Sequence, residues 1–150
     1  MKLVIQRVKN AECDVDGETV SRIGEGLLVY VSFKAGDTDA LIPKMASKTV
    51  NLRIFEDSEG KMNRSLKATG GSVLAVSQFT LEGDARKGNR PSFTKALNPK
   101  AATKLFDAYV DALGKAGVNV ATGQFQAHME ITSTNDGPVT ILLERTHDDD

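Results

Sequence analysis

Apolar and polar positions alternate at the start of the chain and give way to continuous apolar runs further on. The segment KLVIQRVKNAECDV has a loose two-residue period and is followed by Asp16–Gly17 and then ETVSRIG, a pattern typical of a β-hairpin. GLLVYVSF and SVLAVSQF are uninterrupted apolar runs, which predict strands covered on both faces. Four shorter segments also predict strands: RIFED, VNVATGQF, AHMEITST and PVTILLE.

Two segments repeat apolar residues at helical spacing. The first, DTDALIPKMASKTVN, has Asp37, Thr38 or Asp39 as its capping residue, and Pro43 fits only within its first turn. In the second, NPKAATKLFDAYVDALGKAG, Asn98 caps the helix, Pro99 takes the first position and Gly117 ends it. The stripe that this second helix is expected to bury consists of Leu105, Tyr109, Ala112 and Leu113.

The pattern amounts to about seven strands and two helices in one domain of 150 residues. Two helices cannot cover both faces of so many strands. Either two sheet layers therefore pack on each other, or a partner subunit covers one face.

Composition restricts the possible functions only moderately. A formal net charge of −1 argues against nonspecific, charge-driven binding of nucleic acid, although a local basic patch stays possible. The single cysteine, Cys13, cannot form an intrachain disulfide and is interpreted as a small strand residue in a reducing compartment. MKLVIQRVKN does not read as a signal peptide, and no apolar run is long enough to span a membrane. We expect a soluble cytoplasmic protein with a disordered tail, THDDD.

Few residues offer familiar catalytic chemistry. His128 and His147 have no second ligand nearby at metal-binding spacing, so no metal is expected, and no phosphate-binding loop that would indicate a nucleotide cofactor is present. His128 is interpreted as a strand residue. Ser77 and Thr80 invite a nucleophile interpretation, but SQFT contains no nucleophile elbow and no sequence sign pairs it with His128, so an ordinary strand end is favoured.

Two further stretches are unusual. Arg86 to Phe93, RKGNRPSF, combines three cations with an aromatic ring, so it can hold phosphates and stack on a base, or it can be a solvated loop. NDGPVT, Asn135 to Thr140, leads directly into the apolar ILLE. Gly-Pro is a poor way to begin a strand, because glycine weakens the strand and proline donates no hydrogen bond.

Several stretches, in order along the chain, resemble the D-aminoacyl-tRNA deacylase family. The resemblance runs from Met1 to about Glu144, and it assigns residues 1–145 to the deacylase domain and 146–150 to a disordered tail. It implies a homodimer with an α/β/β-layered fold of the α+β type, with mostly antiparallel sheets and two main helices. It also implies hydrolysis of the ester that joins a D-amino acid, or misplaced glycine, to tRNA, with no cofactor. The stretches are MKLVIQRV, NLRIFED, GKMN, SQFT, KGNRPSF and NDGPVT.

The resemblance also assigns a role to Gly137 and Pro138. In the family this peptide bond is cis and reaches from one subunit into the active site of the other, where rigid backbone beside the α-carbon selects handedness rather than side-chain identity. Arg7 resembles the family arginine that holds the Gly-Pro in place. A related group that accepts L-amino acids lacks this arginine and has a trans Gly-Pro, so Arg7 favours the D-specific group.

Two mechanisms for cutting the ester stay open. Thr80 could be a nucleophile, although no base for it is evident. Alternatively, the 2′-hydroxyl of the terminal ribose activates water while backbone N–H groups near Gln78 and Phe79 hold the oxyanion, and Ser77, Gln78 and Thr80 shape the site. The resemblance favours the second mechanism.

The remaining assignments concern tRNA. By resemblance, Phe125 and Met129 line the pocket for the terminal adenine, and Lys87 and Arg90 meet phosphates of the acceptor stem. LEGD at Leu81 to Asp84 departs from the family, and Gly83 is expected to loosen the loop after SQFT. The competing class is a nonenzymatic RNA-binding module.

Overall fold

The first strand, β1, organises the sheet because it pairs with three other strands. A computed structural model of the chain describes residues 1–147. Its strands are β1 (Lys2–Val15), β2 (Glu18–Ile23), β3 (Gly26–Ser32), β4 (Phe55–Glu56), β5 (Met62–Arg64), β6 (Ser72–Ser77), β7 (Asn119–Thr122) and β8 (Glu130–Glu144). Its helices are α1 (Ile42–Asn51), α2 (Leu66–Thr69) and α3 (Pro99–Lys115), with 3₁₀ turns at Asp39–Leu41 and Phe79–Glu82.

The main sheet is mixed. Its order is β2-β1-β3-β6-β7, with β8 also paired to β1. The pairs β3–β6 and β6–β7 are parallel, whereas β1 is antiparallel to each of its partners, and β4 and β5 form a separate antiparallel pair. The sheet curls until β2 contacts β6 and β7, which makes this α+β domain nearly barrel-like.

Two hydrophobic clusters hold this arrangement together. The larger one packs α1 and α3 against one face of the sheet, and Leu3, Leu27, Leu105 and Tyr109 are among its buried members. The smaller one lies inside the curl and contains Val8, Ala11, Ile23, Leu28, Leu74 and Val76. Because residues of β3 and β6 enter both clusters, the two continuous apolar runs are buried on both faces, as their pattern predicts.

The first hairpin is confirmed in detail. Asp16 has a φ of 51° and Gly17 a φ of 80°, so both residues of the turn are in the left-handed region. A two-residue type I′ turn requires this geometry, and Asp-Gly is a preferred sequence for it.

Both main helices are confirmed, with corrections at their ends and faces. No side chain caps the first: Asp37 instead turns inward, where its Oδ2 accepts from the N-terminal ammonium at 2.5 Å and from the Lys34 N–H at 2.9 Å. Asn98 caps α3 as predicted, since its Oδ1 accepts from the Ala101 N–H at 2.9 Å. Phe106 is buried on α3, whereas Ala112, which was assigned to the buried stripe, is only partly covered.

The prediction of two separate strands, AHMEITST and PVTILLE, is wrong. One strand, β8, runs from Glu130 to Glu144, so His128 lies in the turn before it and not on a strand. The two predicted segments join across Gly137 and Pro138, and among residues 1–147 β8 pairs with β1 and with no other strand. Proline is tolerated on such an edge strand, above all where the pairing is irregular.

None of the helices in residues 1–147 is long and apolar enough to cross a membrane. Part of the expected tail lies outside the described residues, which end at His147, so residues 148–150 receive no structural account.

Candidate functional site

A cleft of about 690 Å³ opens beside the ends of strands β3 and β6. The strands are parallel, so their carboxyl ends meet at the same edge of the sheet, where ligands bind in many open sheets. Ser32 and Ser77, the last residues of β3 and β6, line this cleft. The first turn of α3 closes another side with Asn98, Pro99 and Ala102.

The SQFT segment forms the turn by which the chain leaves β6. The Gln78 N–H donates to the Val31 carbonyl at 2.8 Å, which continues the pairing with β3. The next residues wind into the 3₁₀ turn Phe79–Glu82, in which the Gln78 side-chain amide donates to the Thr80 hydroxyl. Ser77, Gln78 and Phe79 line the cleft, and Thr80 is held beside it through Gln78.

The backbone of this turn is suited to an anion. The first N–H groups of a helical turn have no partner within that turn. In this chain they belong to Phe79 and Thr80, next to a wall of the cleft. The ring of Phe79 is 58% exposed, so the turn presents both donors and an apolar surface.

Phe125 and Met129 lie in the segment between β7 and β8. Both line the same cleft as Ser77 to Phe79, so the structure brings five of the predicted site residues together. The exposed His128 also lines it. Sequence reasoning missed this histidine because AHME was interpreted as the start of a strand.

Phe93 packs edge-to-face on Phe79, with ring centroids 5.3 Å apart. Its ring also covers Gly83, where a Cβ would lie 2.9 Å from the Phe93 Cε1. Gly83 therefore makes room for an aromatic wall of the cleft. Its own N–H donates to the Thr80 carbonyl at 3.0 Å, which ties the residue to the turn.

Lys87 and Arg90 lie together in a second groove, of about 490 Å³. The loop that carries them is closed by reciprocal backbone hydrogen bonds of 2.8 Å between Asp84 and Ser92. Arg86 donates to the two Asp84 carboxylate oxygens at 2.9 and 2.7 Å, and this contact holds the pKa of Asp84 well below its usual range. Within residues 1–147, Lys87 and Arg90 make no ion pair, so they are the cations left available to a ligand.

Gly137 and Pro138 sit on a bulge of β8. Gln6 pairs with Thr140 and Val8 with Asn135, so residues 136–139 protrude opposite the single residue Arg7. The Gly137–Pro138 bond is cis, and both residues are exposed. They do not line the cleft of their own chain.

The side chains around Gly-Pro explain the rest of the NDGPVT stretch. The Asn135 Oδ1 accepts from the Val139 N–H at 3.0 Å, and its amide donates to the Thr140 hydroxyl at 3.1 Å, so the base of the bulge is tied off. Gly137 has a φ of 130°, and a Cβ there would lie 3.0 Å from the Arg7 Nη2. Both the backbone conformation and the space favour glycine.

Arg7 anchors the bulge from inside the protein. It is only 6% exposed, and its guanidinium donates to the Asp136 carbonyl at 2.9 Å and to the Ile54 carbonyl at 2.8 Å. The carboxylates of Asp136 and Glu56 lie 3.6 and 3.9 Å away and offset its charge. Arg7 therefore lies directly beside Gly137–Pro138.

Cys13 is buried on β1, and burial raises the pKa of its thiol, so its interpretation as a small strand residue is confirmed. Among residues 1–147, no three His, Cys, Asp or Glu side chains form a group that could hold a metal ion.

The fold and the site define a single α+β domain with a ligand-sized cleft at one edge of a mixed, nearly closed sheet. A family model described as D-Tyr-tRNA(Tyr) deacylase matches residues 4–144, and the chain belongs to this family.

Curated relatives agree with this placement, and a solved structure has the same fold. A protein of Thermoanaerobacter sp. (strain X514), named D-aminoacyl-tRNA deacylase, is 53% identical over 96% of this chain and 97% of its own length. One of Heliobacterium modesticaldum with the same name is 54% identical, over 96% of both chains. The solved structure of a c-Myc DNA Unwinding Element Binding Protein is 38% identical, with a TM-score of 0.90 over 97% of this chain and 99% of that one.

The burial of Arg7 yields a prediction about stability. Arg7→Ala removes the donor from one buried and one partly buried carbonyl, so we expect the free energy of unfolding to fall by roughly 2–4 kcal/mol, measured by urea denaturation. Arg7→Lys keeps the charge, but an ammonium group lacks the planar arrangement of donors that reaches both carbonyls. Its loss of unfolding free energy is therefore expected to be intermediate. The control is Arg22→Ala, whose exposed pair with Glu12 is expected to contribute about 0–1 kcal/mol. Equal losses in Arg7→Ala and Arg22→Ala would contradict the anchoring role.

Proposed function

We propose that the protein hydrolyses the ester bond of D-aminoacyl-tRNA, and of glycine misplaced on tRNA, releasing the free amino acid and tRNA in the cytoplasm. The observation that carries this proposal is that Ser77, Gln78 and Phe79 meet Phe125 and Met129 in one cleft. Membership of the deacylase family supports the choice of reaction.

The cleft suits the 3′-terminal adenosine of tRNA. Its walls are largely apolar and carry the rings of Phe79, Phe93 and Phe125 together with the thioether of Met129. Aromatic rings and an adaptable thioether favour a flat base, and they leave the ribose and ester to the polar edge formed by Ser77 and Gln78.

The surroundings of Thr80 favour positioning over nucleophilic attack. Its hydroxyl accepts from the Gln78 amide, which can donate a hydrogen bond but cannot remove a proton. We therefore assign water as the nucleophile, activated by the 2′-hydroxyl of the substrate. The Gln78 N–H, which was expected to share in holding the oxyanion, already donates to the Val31 carbonyl, so we assign this role to the N–H groups of Phe79 and Thr80. An aminoacyl ester is reactive enough for this limited machinery.

Selection of handedness is assigned to Gly137 and Pro138 of a second subunit. The segment protrudes, is anchored by Arg7 and does not line its own cleft, and these observations support its assignment to the cleft of another copy. Leu142, on the same strand, is 70% exposed and gives the strand an apolar surface for such a partner. We propose a homodimer with α/β/β layering in which each subunit completes the active site of the other.

Rejection by rigid backbone explains a broad but handed specificity. A backbone wall beside the α-carbon excludes an L side chain whatever its identity, whereas a side-chain pocket would select one amino acid. Glycine has no side chain to exclude and is therefore expected to pass the filter.

Lys87 and Arg90 are assigned to phosphates of the acceptor stem. Since Arg86 is neutralised by Asp84, these two cations form the local basic patch of a protein whose net charge is −1. A nonenzymatic nucleic-acid-binding module is the competing function. The name of the similar solved structure, c-Myc DNA Unwinding Element Binding Protein, describes binding to DNA. Turnover separates a hydrolase from such a binder.

Release of tyrosine from D-Tyr-tRNA and L-Tyr-tRNA tests the reaction and its selectivity together. With enzyme far below substrate, we expect many turnovers of the D ester while the L ester is spared, because only the L side chain meets the backbone wall. Gly-tRNA is expected to be cleaved as well. Release of tyrosine from both esters would support hydrolysis but contradict the selection of handedness by Gly137 and Pro138. It would then favour a relative that accepts L-amino acids. Retention of charged tRNA without release would favour the binding module.

The dependence of tRNA affinity on salt tests the phosphate assignment. Each phosphate contact that is lost should flatten the slope of log K against log salt by about 0.7–0.9. We expect this change in Lys87→Gln and in Arg90→Gln. Lys67→Gln, which removes an exposed cation of α2 outside both grooves, should leave the slope unchanged. If Lys87→Gln and Arg90→Gln both keep the wild-type slope, the assignment of these residues to phosphates is wrong.

A further inference from the structure

Glu82 is a carboxylate enclosed at the end of the SQFT turn. Its side chain is only 6% exposed, although Phe79 and Thr80 at the start of the same turn are exposed. The Ser32 hydroxyl donates to its Oε2 at 3.0 Å, and the Lys2 Nζ lies 3.5 Å from the same oxygen. The Lys2 Nζ also donates to the neighbouring Leu81 carbonyl at 3.1 Å.

These contacts tie the turn to two strands of the sheet. Lys2 begins β1, and Ser32 ends β3 and lines the cleft. At the other end of the turn, the Gln78 N–H donates to the Val31 carbonyl of β3 at 2.8 Å. Phe79 and Thr80 therefore lie between two attached ends of the turn. One end is held at the Gln78 backbone, and the other is held at the Leu81 carbonyl and the Glu82 carboxylate.

Stabilisation of the fold does not explain why a carboxylate is buried at position 82. Removing a carboxylate from water is unfavourable, and an ion pair offsets that cost only when the geometry is good and the other oxygen lone pairs are satisfied. The separation of 3.5 Å from Lys2 is loose for a charge-assisted hydrogen bond. The shorter contact is the hydrogen bond from Ser32, which is 2% exposed. It fixes the orientation of the Glu82 carboxylate but adds little electrostatic attraction.

We propose that Glu82 is a positioning residue for the hydrolytic reaction. It holds the 3₁₀ turn against Ser32 and Lys2, so that the N–H groups of Phe79 and Thr80 stay aimed at the reacting carbonyl. This inference rests on the proposed function for its catalytic consequence. Glu82 does not line the cleft among the described residues, so it acts through the turn and not on the substrate.

Three variants and one control test the proposal. Glu82→Ala removes the acceptor, whereas Glu82→Gln keeps an oxygen that can accept from Ser32 and Lys2. Ser32→Ala removes the donor from the other side and is also combined with Glu82→Ala. The control, Glu12→Ala, removes a carboxylate that Arg22 binds at 3.0 and 2.8 Å between β1 and β2, away from the cleft.

The first readout is the division between kcat and KM for D-Tyr-tRNA, with circular dichroism confirming that each variant is folded. We expect Glu82→Ala to lower kcat on the order of tenfold to a hundredfold, as misplacement of about 1 Å can do. KM should change little, because Phe125 and Met129 are untouched. Glu82→Gln should restore most of kcat, and the double variant should be no slower than Glu82→Ala, because both changes remove one interaction.

The second readout is amide hydrogen exchange, which does not depend on catalysis. We expect Glu82→Ala to accelerate exchange at Leu81 and Gly83, whose N–H groups donate within the turn to Gln78 and Thr80, and to leave β1 and β3 unchanged. Normal kcat with unchanged exchange in Glu82→Ala would overturn the proposal. So would faster exchange throughout the sheet, which would indicate a general loss of stability.

The two readouts separate this proposal from the proposed function. If wild-type protein releases no amino acid, the assignment of the reaction fails. Hydrogen exchange in Glu82→Ala then tests only whether Glu82 attaches the turn to the sheet. Faster exchange confined to the turn supports this attachment, and unchanged exchange overturns it. If wild-type protein is active and Glu82→Gln is as slow as Glu82→Ala, attachment by hydrogen bonding is wrong.

Discussion

The buried guanidinium of Arg7 is the contact on which the functional arrangement of this chain depends. It lies on the central strand β1 at the point where pairing with β8 is interrupted. From there it reaches the carbonyl of Asp136 on β8 and that of Ile54 before β4, so one side chain joins three parts of the chain. A buried charge that satisfies two carbonyls resists replacement, and this keeps the bulge of β8 at a fixed place on the sheet.

The rest of the site is divided among three surfaces, and Gly137–Pro138 lines neither the cleft nor the groove of its own chain. The cleft at the ends of β3 and β6 suits an aminoacylated adenosine, the groove with Lys87 and Arg90 suits phosphates, and Gly137–Pro138 projects elsewhere. Under the proposed function, a second copy brings these parts together. Chemistry, affinity and handedness would then be controlled by different elements, which fits a substrate whose ester is reactive and whose side chain varies.

Features of the fold that are determined by neighbouring residues could be predicted from the sequence, and features that depend on distant residues could not. The Asp16–Gly17 turn, the α3 cap at Asn98 and the apolar runs of β3 and β6 depend on neighbouring residues and were predictable. The course of β8 was not, because proline ends a strand by local rules and only the edge position of β8 makes it acceptable. Asp37 was misassigned for a similar reason, since its partner is the distant N-terminus. The convergence of Phe125 and Met129 with Ser77 came from family resemblance, because no local pattern joins residues so far apart in sequence.

The central claim is that the cleft holds the aminoacylated adenosine while a second copy supplies Gly137 and Pro138. It is tested most directly by a crystal structure with D-tyrosine joined through an amide to 3′-amino-3′-deoxyadenosine, which cannot be hydrolysed as an ester. The account predicts that the adenine lies against Phe125 and Met129, with the carbonyl oxygen at the N–H groups of Phe79 and Thr80. It also predicts that Gly137 of a second subunit lies beside the α-carbon. Adenine bound outside the cleft, or an α-carbon without a second subunit next to it, would contradict the account.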